Sequence, residues 1–290
     1  MQRREFLAGL GAIGASALVP DILTGAQTGP AAAPFRIDVH YHGNSPGFIA
    51  AIKAHNTGQT ALMNWTPAKA LEDMDRDGVA TVIMSTSEPS VHFGDATAAR
   101  ALARECNEYF ARLVSDRPTR FGMFATLPLP DVDGALREIE YAFGTLKADG
   151  ACFMSSYEGK YLGDPAFAPV MDELNRRKAV CYTHPFRGGM INMLPEGRAL
   201  GITLSTETTL TIQSILYTNT ATRCPDIRFI WSHGGGTAPY ITSRLGAAVG
   251  PDGKPNANLA ALQKFYYDTA QAFNPYTLAT LTRVVPMSHI

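Results

Sequence analysis

Two histidines spaced i, i+2 close a short apolar run, Arg36-Ile37-Asp38-Val39-His40-Tyr41-His42. In an extended strand, side chains two apart share a face, so His40 and His42 can converge on one metal ion. The alternative is that Tyr41 packs inward and both imidazoles stand in water. Two more histidines sit in comparable places, His184 in Cys181-Tyr182-Thr183-His184-Pro185 and His233 in Trp231-Ser232-His233-Gly234-Gly235-Gly236. Each ends an apolar run that reads as a strand. Four of the seven histidines thus terminate predicted strands, where random placement would scatter them over helices and loops. Each alone is most simply a packed rim histidine. Together they form a grouping that metal chemistry could use.

The elements that must position these residues alternate regularly. Strands are predicted over 35–40, 79–85, 121–127, 150–154, 179–184, 228–233 and 265–268. Helices are predicted over 67–77, 96–116, 131–147, 165–177, 206–223 and 275–284, with shorter helical stretches near 239–247 and 258–262. Pro67 opens one helix and Gly78 follows its end. Ala99, Leu102, Ala103, Cys106, Phe110 and Leu113 repeat at helical spacing, and Asp131 is a natural N-cap. Strict β/α alternation implies a parallel sheet, because parallel strands need crossover connections. Seven repeats between residues 35 and 290 point to a (β/α)8 TIM barrel, whose usual length is about 250 residues. An open doubly wound sheet would call for a G-x-G-x-x-G turn after the first strand, and Gly43-Asn44-Ser45-Pro46-Gly47 lacks that spacing. No linker-like break interrupts residues 34–290, so one domain is expected. After the seventh strand and its helix the sequence runs to Pro286-Met287-Ser288-His289-Ile290, and the expectation is a barrel truncated before its eighth strand.

Composition agrees with a globular α/β protein: the 290 residues are 46% hydrophobic and 18% charged. A formal charge of -1 gives no electrostatic reason to expect nucleic acid. Arg3-Arg4-Glu5-Phe6-Leu7, an apolar stretch to Val19 and a Gly/Ala/Pro-rich tract to Pro34 resemble a twin-arginine export signal, too short to span a bilayer in the mature form. Residues 1–33 are therefore read as signal peptide and linker, with a periplasmic or secreted destination and no membrane in the mature protein. A basic tail on a cytoplasmic protein, or an uncleaved anchor, is the alternative. Cys106, Cys152, Cys181 and Cys224 show no C-x-x-C spacing and read as small buried residues, with a disulfide the minority reading.

The set Ile37-Asp38-Val39-His40-Tyr41-His42, Thr183-His184-Pro185 and Ser232-His233-Gly234-Gly235-Gly236, with Glu207-Thr208-Thr209 ahead of the last, resembles the amidohydrolase-2 family of the amidohydrolase superfamily. Its best-known members are metal-dependent decarboxylases of the aminocarboxymuconate semialdehyde type. The resemblance covers roughly residues 35–290. It implies a barrel holding one divalent ion, Zn or Mn, with His40, His42 and His184 as metal ligands and His233 as the group that handles a proton. It also implies a further ligand, an aspartate after strand eight, expected beyond Ile290. Asp268, at the end of strand seven, then reads as a neighbour of the site and not as that ligand.

Other candidates follow from position at the strand ends, where barrel enzymes carry their chemistry. His92, in the loop after strand two, could touch substrate or be solvated. Arg187 could receive a substrate carboxylate bidentately or pair with a surface acid. Phe48, Trp65, Phe93, Phe186 and Phe273 could form an aromatic pocket or local core, with Phe48 and Phe186 the candidate substrate contacts. Glu207, near the start of its predicted helix, could favour that helix's dipole, while the resemblance places it beside the site. The expected function is a metal-dependent carboxy-lyase acting on a small hydroxylated aromatic or unsaturated carboxylic acid. The same groups could instead activate water on an amide, ester or lactone, or the barrel could be catalytically impaired without its last strand. A homodimer is implied by resemblance only.

Overall fold

The computed structural model describes residues 36–57, 60–187, 194 and 199–290, and the folded unit spans Phe35–Ile290. The export-signal segment lies outside the described residues. Seven parallel strands carry the fold: β1 (Arg36–His42), β2 (Val79–Ser85), β3 (Phe121–Thr126), β4 (Gly150–Met154), β5 (Val180–His184), β6 (Arg228–Trp231) and β7 (Tyr266–Tyr267). They pair strictly in chain order, β1 to β7. A doubly wound sheet reverses direction at a switch point, and this one never does. Consecutive, all-parallel order is that of a barrel wall. The wall curls until its ends meet, since Nδ1 of His40 on β1 lies 2.8 Å from Oδ2 of Asp268, just past β7. Below that contact β1 and β7 form no ladder with each other among the described residues, and a cleft of about 750 Å³ separates them.

Helices cover the outside. Between β1 and β2 lie α1 (Pro46–Ala54) and α2 (Pro67–Asp77); α3 (Ala96–Asp116), α4 (Val132–Gly144), α5 (Ala168–Arg176), α6 (Leu200–Tyr217), α7 (Ala257–Lys264) and α8 (Pro275–Val284) follow in turn. Their ends obey the local chemistry. Thr66 caps α2 through Lys69 N–H, Pro67 occupies its first turn, and Gly78 at φ +66° turns the chain into β2. On α3 the buried stripe is Ala99, Ala103, Cys106, Asn107 and Phe110, the one-sided repeat read from the sequence. No described helix is long and apolar enough to cross a membrane.

Several elements differ from expectation. The segment after β1, to which no element was assigned, holds a helix: Ser45 caps α1 by accepting Phe48 N–H, and Pro46 starts it. The 165–177 helix divides into a 3₁₀ turn, Pro165–Phe167, and α5. The helix before β6 begins at Leu200, six residues early, so Glu207 lies in its middle and far from its dipole's positive end. The 239–247 stretch holds only a 3₁₀ turn, Thr242–Leu245. Strand β6 stops at Trp231, and His233–Gly235 form a 3₁₀ turn in which His233 has φ +54°. The next residue but two, Gly236, has φ +64°, and a Cβ there would stand 2.2 Å from Ser205 O. Only glycine fits that approach of the loop to α6. All four cysteines are buried and free. Burial pushes the Cys106 and Cys152 thiols up to about 12, which makes them inert packing residues.

Candidate metal centre and active site

Strands β1 and β5 and the turn after β6 bring the four strand-end histidines together. His40, His42 and His184 offer ligand atoms within 4.8 Å of one another. Zinc–nitrogen bonds of about 2.0–2.1 Å hold the nitrogens of a tetrahedral site about 3.4 Å apart, so a small convergence of the three rings brings them onto one ion. The His233 ring centre is 4.9 Å from that of His40 and 5.9 Å from that of His184.

Hydrogen bonds fix which nitrogen two of the rings present. His40 Nδ1 faces Asp268 Oδ2 at 2.8 Å and His184 Nδ1 faces Pro185 O at 2.9 Å. Both partners are acceptors, so both Nδ1 atoms carry hydrogen and Nε2 holds the free lone pair. His42 Nδ1 is buried without any partner, an atom that asks for a ligand. Burial, and then the neighbouring histidines, lower the His42 pKa to about 3 and that of His184 well below its usual value. Burial likewise lowers His233 to about 4. Neutral imidazole is the form that binds a cation. The donor set therefore fits one divalent ion.

Asp268 organises the centre from the side. Its side chain is 5% exposed; Oδ1 accepts His233 N–H at 2.7 Å and Ala270 N–H at 3.1 Å, while Oδ2 meets His40 and, at 3.4 Å, the Tyr182 hydroxyl. It orients one candidate ligand and holds the turn that carries His233. Glu207, 6% exposed, accepts hydrogen bonds from Ser155 Oγ at 2.9 Å and Tyr161 OH at 3.1 Å.

The weaker candidates fare differently. Arg187 is engaged by Glu88, which takes its backbone N–H at 2.9 Å and pairs with its guanidinium. Of the two readings of Arg187, the ion pair is the one present, with an acid that is buried and not at the surface. Phe48 is fully buried against Ile52, Val91 and Ala103, a core residue between α1 and α3 and not a pocket wall. Phe186 is half-buried and packs on the main core; Phe93 stacks on His55, and Phe273 is 75% exposed beside the β1–β7 cleft. His92 is half-buried in the loop after β2 and takes no part in the ring contacts that join the four histidines. Sequence reading passed over Asp38, Tyr182 and Ser155. The first two stand two residues before a site histidine and so share its strand face, a signal that was available. Asp38 Oδ1 accepts His40 N–H at 2.9 Å, and burial raises its pKa.

Beside His233 opens a cavity of about 430 Å³, lined in part by Ser205, Thr237, Tyr240, Gln271 and Tyr276. It offers hydroxyls, an amide and two phenol rings to a small ligand.

A family model described as amidohydrolase matches residues 37–285. The chain belongs to the amidohydrolase family. It is 38% identical to the decarboxylase yanB of Aspergillus niger over 265 residues, 85% of this chain and 72% of that protein. It is 35% identical to the 6-methylsalicylic acid decarboxylase acuB of Aspergillus aculeatus over 274 residues, covering 88% and 82%. Among solved structures, an amidohydrolase II superposes with TM-score 0.80 at 24% identity, covering 88% of this chain and 85% of the other. That likeness carries the barrel fold.

Proposed function

We propose that the protein is a metal-dependent carboxy-lyase that removes carbon dioxide from a small hydroxylated aromatic carboxylic acid. The observation that carries this reading is the convergence of His40, His42, His184 and His233, with Asp268 behind them, at the strand ends of a barrel. The similar proteins named as decarboxylases support the reaction, and the 6-methylsalicylic acid enzyme supports the substrate class. His40, His42 and His184 would hold the ion; three imidazoles suit zinc, and manganese is the other candidate. A bound divalent cation supplies positive charge that orients an oxyanion and stabilises charge developing on it.

The chain's own groups handle the protons. Neutral His233 takes the phenolic proton of the incoming hydroxy acid and returns it to the ring carbon as the carboxylate leaves as carbon dioxide. The hydroxybenzoate monoanion thereby becomes one phenolate and one carbon dioxide, and charge balances. Asp268 holds His233 through its backbone N–H throughout, and the cavity beside His233 has room for the ring. His233→Ala should bind the metal and lose turnover; normal turnover in that variant contradicts the assignment.

Three properties beyond catalysis belong to the same proposal. The ion is zinc or manganese, to be read by elemental analysis of purified protein. Export by the twin-arginine route is supported by Arg3-Arg4 and the apolar stretch after them, and R3K/R4K should keep the protein in the cytoplasm. Unchanged periplasmic recovery refutes it. A homodimer rests on resemblance, and light scattering reads it directly.

A further inference from the structure

One peptide plane connects the site to a buried acid outside it. The carbonyl oxygen of Pro185 accepts from His184 Nδ1 at 2.9 Å, and the N–H of the same peptide, that of Phe186, donates to Ser155 Oγ at 2.8 Å. Ser155 Oγ in turn donates to Glu207 Oε2 at 2.9 Å. A backbone N–H can only donate and a carboxylate can only accept, so the hydrogen order runs one way along the chain of bonds. The Glu207 carboxylate takes the serine hydrogen, the serine lone pair takes the peptide hydrogen, and the peptide oxygen takes the Nδ1 hydrogen. What remains at the far end is a lone pair on His184 Nε2.

The side chains of the chain of bonds are shielded. Ser155 is 1% exposed, and Glu207 and His184 are 6% exposed. The serine is also tied from its main chain, since Ser155 N–H donates to His184 O at 2.8 Å and Ser155 O accepts from Thr211 Oγ1 at 3.2 Å. The hydroxyl therefore has little freedom to leave the peptide it holds. On the other flank, Glu88 holds the next N–H, that of Arg187. Two consecutive N–H groups after the ligand are captured by side chains from different elements.

We propose that Ser155 and Glu207 are positioning residues that fix the tautomer and ring orientation of His184 through the Pro185–Phe186 peptide. The proposal rests on the metal-centre reading above. It is tested without substrate, on the full chain, by zinc affinity from chelator competition and by the visible spectrum of the cobalt-loaded protein. Ser155→Ala should weaken zinc about 10-fold, the low end for loss of an outer-shell partner, and should alter the cobalt bands. Tyr161→Phe removes the other hydrogen bond to the same carboxylate but leaves the relay, so its affinity should stay within about 3-fold of wild type. Glu207→Gln keeps an amide oxygen for Ser155 and should fall between them.

Wild-type affinity in S155A overturns the proposal, as does equal weakening in S155A and Y161F, which would report general destabilisation. Should S155A not fold, by its thermal melt, the decision passes to E207Q against Y161F: weaker zinc binding in E207Q supports the relay and equality overturns it. Failure of the underlying reading looks different. In that case His184→Ala binds zinc as tightly as wild type, before any relay variant is compared.

Discussion

Asp268→Asn isolates one edge of a side chain whose other edge holds the fold. Oδ1 accepts the backbone N–H groups of His233 and Ala270, and an asparagine oxygen can keep both. Oδ2 faces His40 Nδ1, and the amide NH₂ that replaces it is a donor pointed at a donor. His40 must then move its hydrogen to Nε2 or turn its ring, and either change spoils its lone pair toward the ion. The pair is well shielded, with 13% and 5% of its side chains exposed. A hydrogen bond to a charged group contributes about 1.5–3 kcal/mol. At about 1.4 kcal/mol per tenfold, that is roughly 10- to 150-fold in zinc affinity, in line with the 10–100-fold effect of removing a ligand's outer partner. The assay is chelator competition on folded protein, with a thermal melt to show that the His233 turn survives. Wild-type zinc affinity in D268N would refute the claim that Asp268 orients His40.

Three further perturbations test the scaffold. Gly236→Ala should cost about 2–4 kcal/mol in denaturant unfolding, combining a left-handed backbone with a Cβ 2.2 Å from Ser205 O; wild-type stability would contradict the close approach. Phe48→Ala should lose about 3–5 kcal/mol as a core truncation while the metal affinity of the folded protein stays unchanged, and a selective rise in KM would instead restore it to the pocket. Glu173 is held down to about 2, chiefly by its hydrogen bond with Arg176, so its contribution is present above the ordinary carboxylate range and is lost as pH falls toward 2. Glu173→Gln should therefore be less stable than wild type near neutrality, and thermal melts should show the difference narrowing below about pH 4.5; a constant gap would remove the linkage.

The barrel and its histidines were legible because both leave periodic marks. Apolar runs alternate with one-sided helices, and His40, His42, His184 and His233 end those runs. The limits were just as physical. Ser45-Pro46 is a helix start that went unassigned, and without α1 the choice between pocket and local core for Phe48 stayed open until the structure placed it in the core. Arg187 showed a cation of the right kind in the right place, but its partner Glu88 lies 99 residues away in sequence. The Ser155–Glu207 link spans 52 residues and joins β4's end to the middle of α6, a contact that only the packing of α6 over that strand end creates. Asp268 was readable as a neighbour of the site, but its hold on both His40 and the His233 turn required coordinates.

The central claim is tested most directly by incubating the full-length, metal-loaded protein with 6-methylsalicylate and related hydroxybenzoates and measuring carbon dioxide against the phenol formed. The account predicts one carbon dioxide per phenol, loss of both on chelation, and loss of both in H233A with metal still bound. Turnover of esters, amides or lactones with no carbon dioxide from any hydroxybenzoate would contradict it.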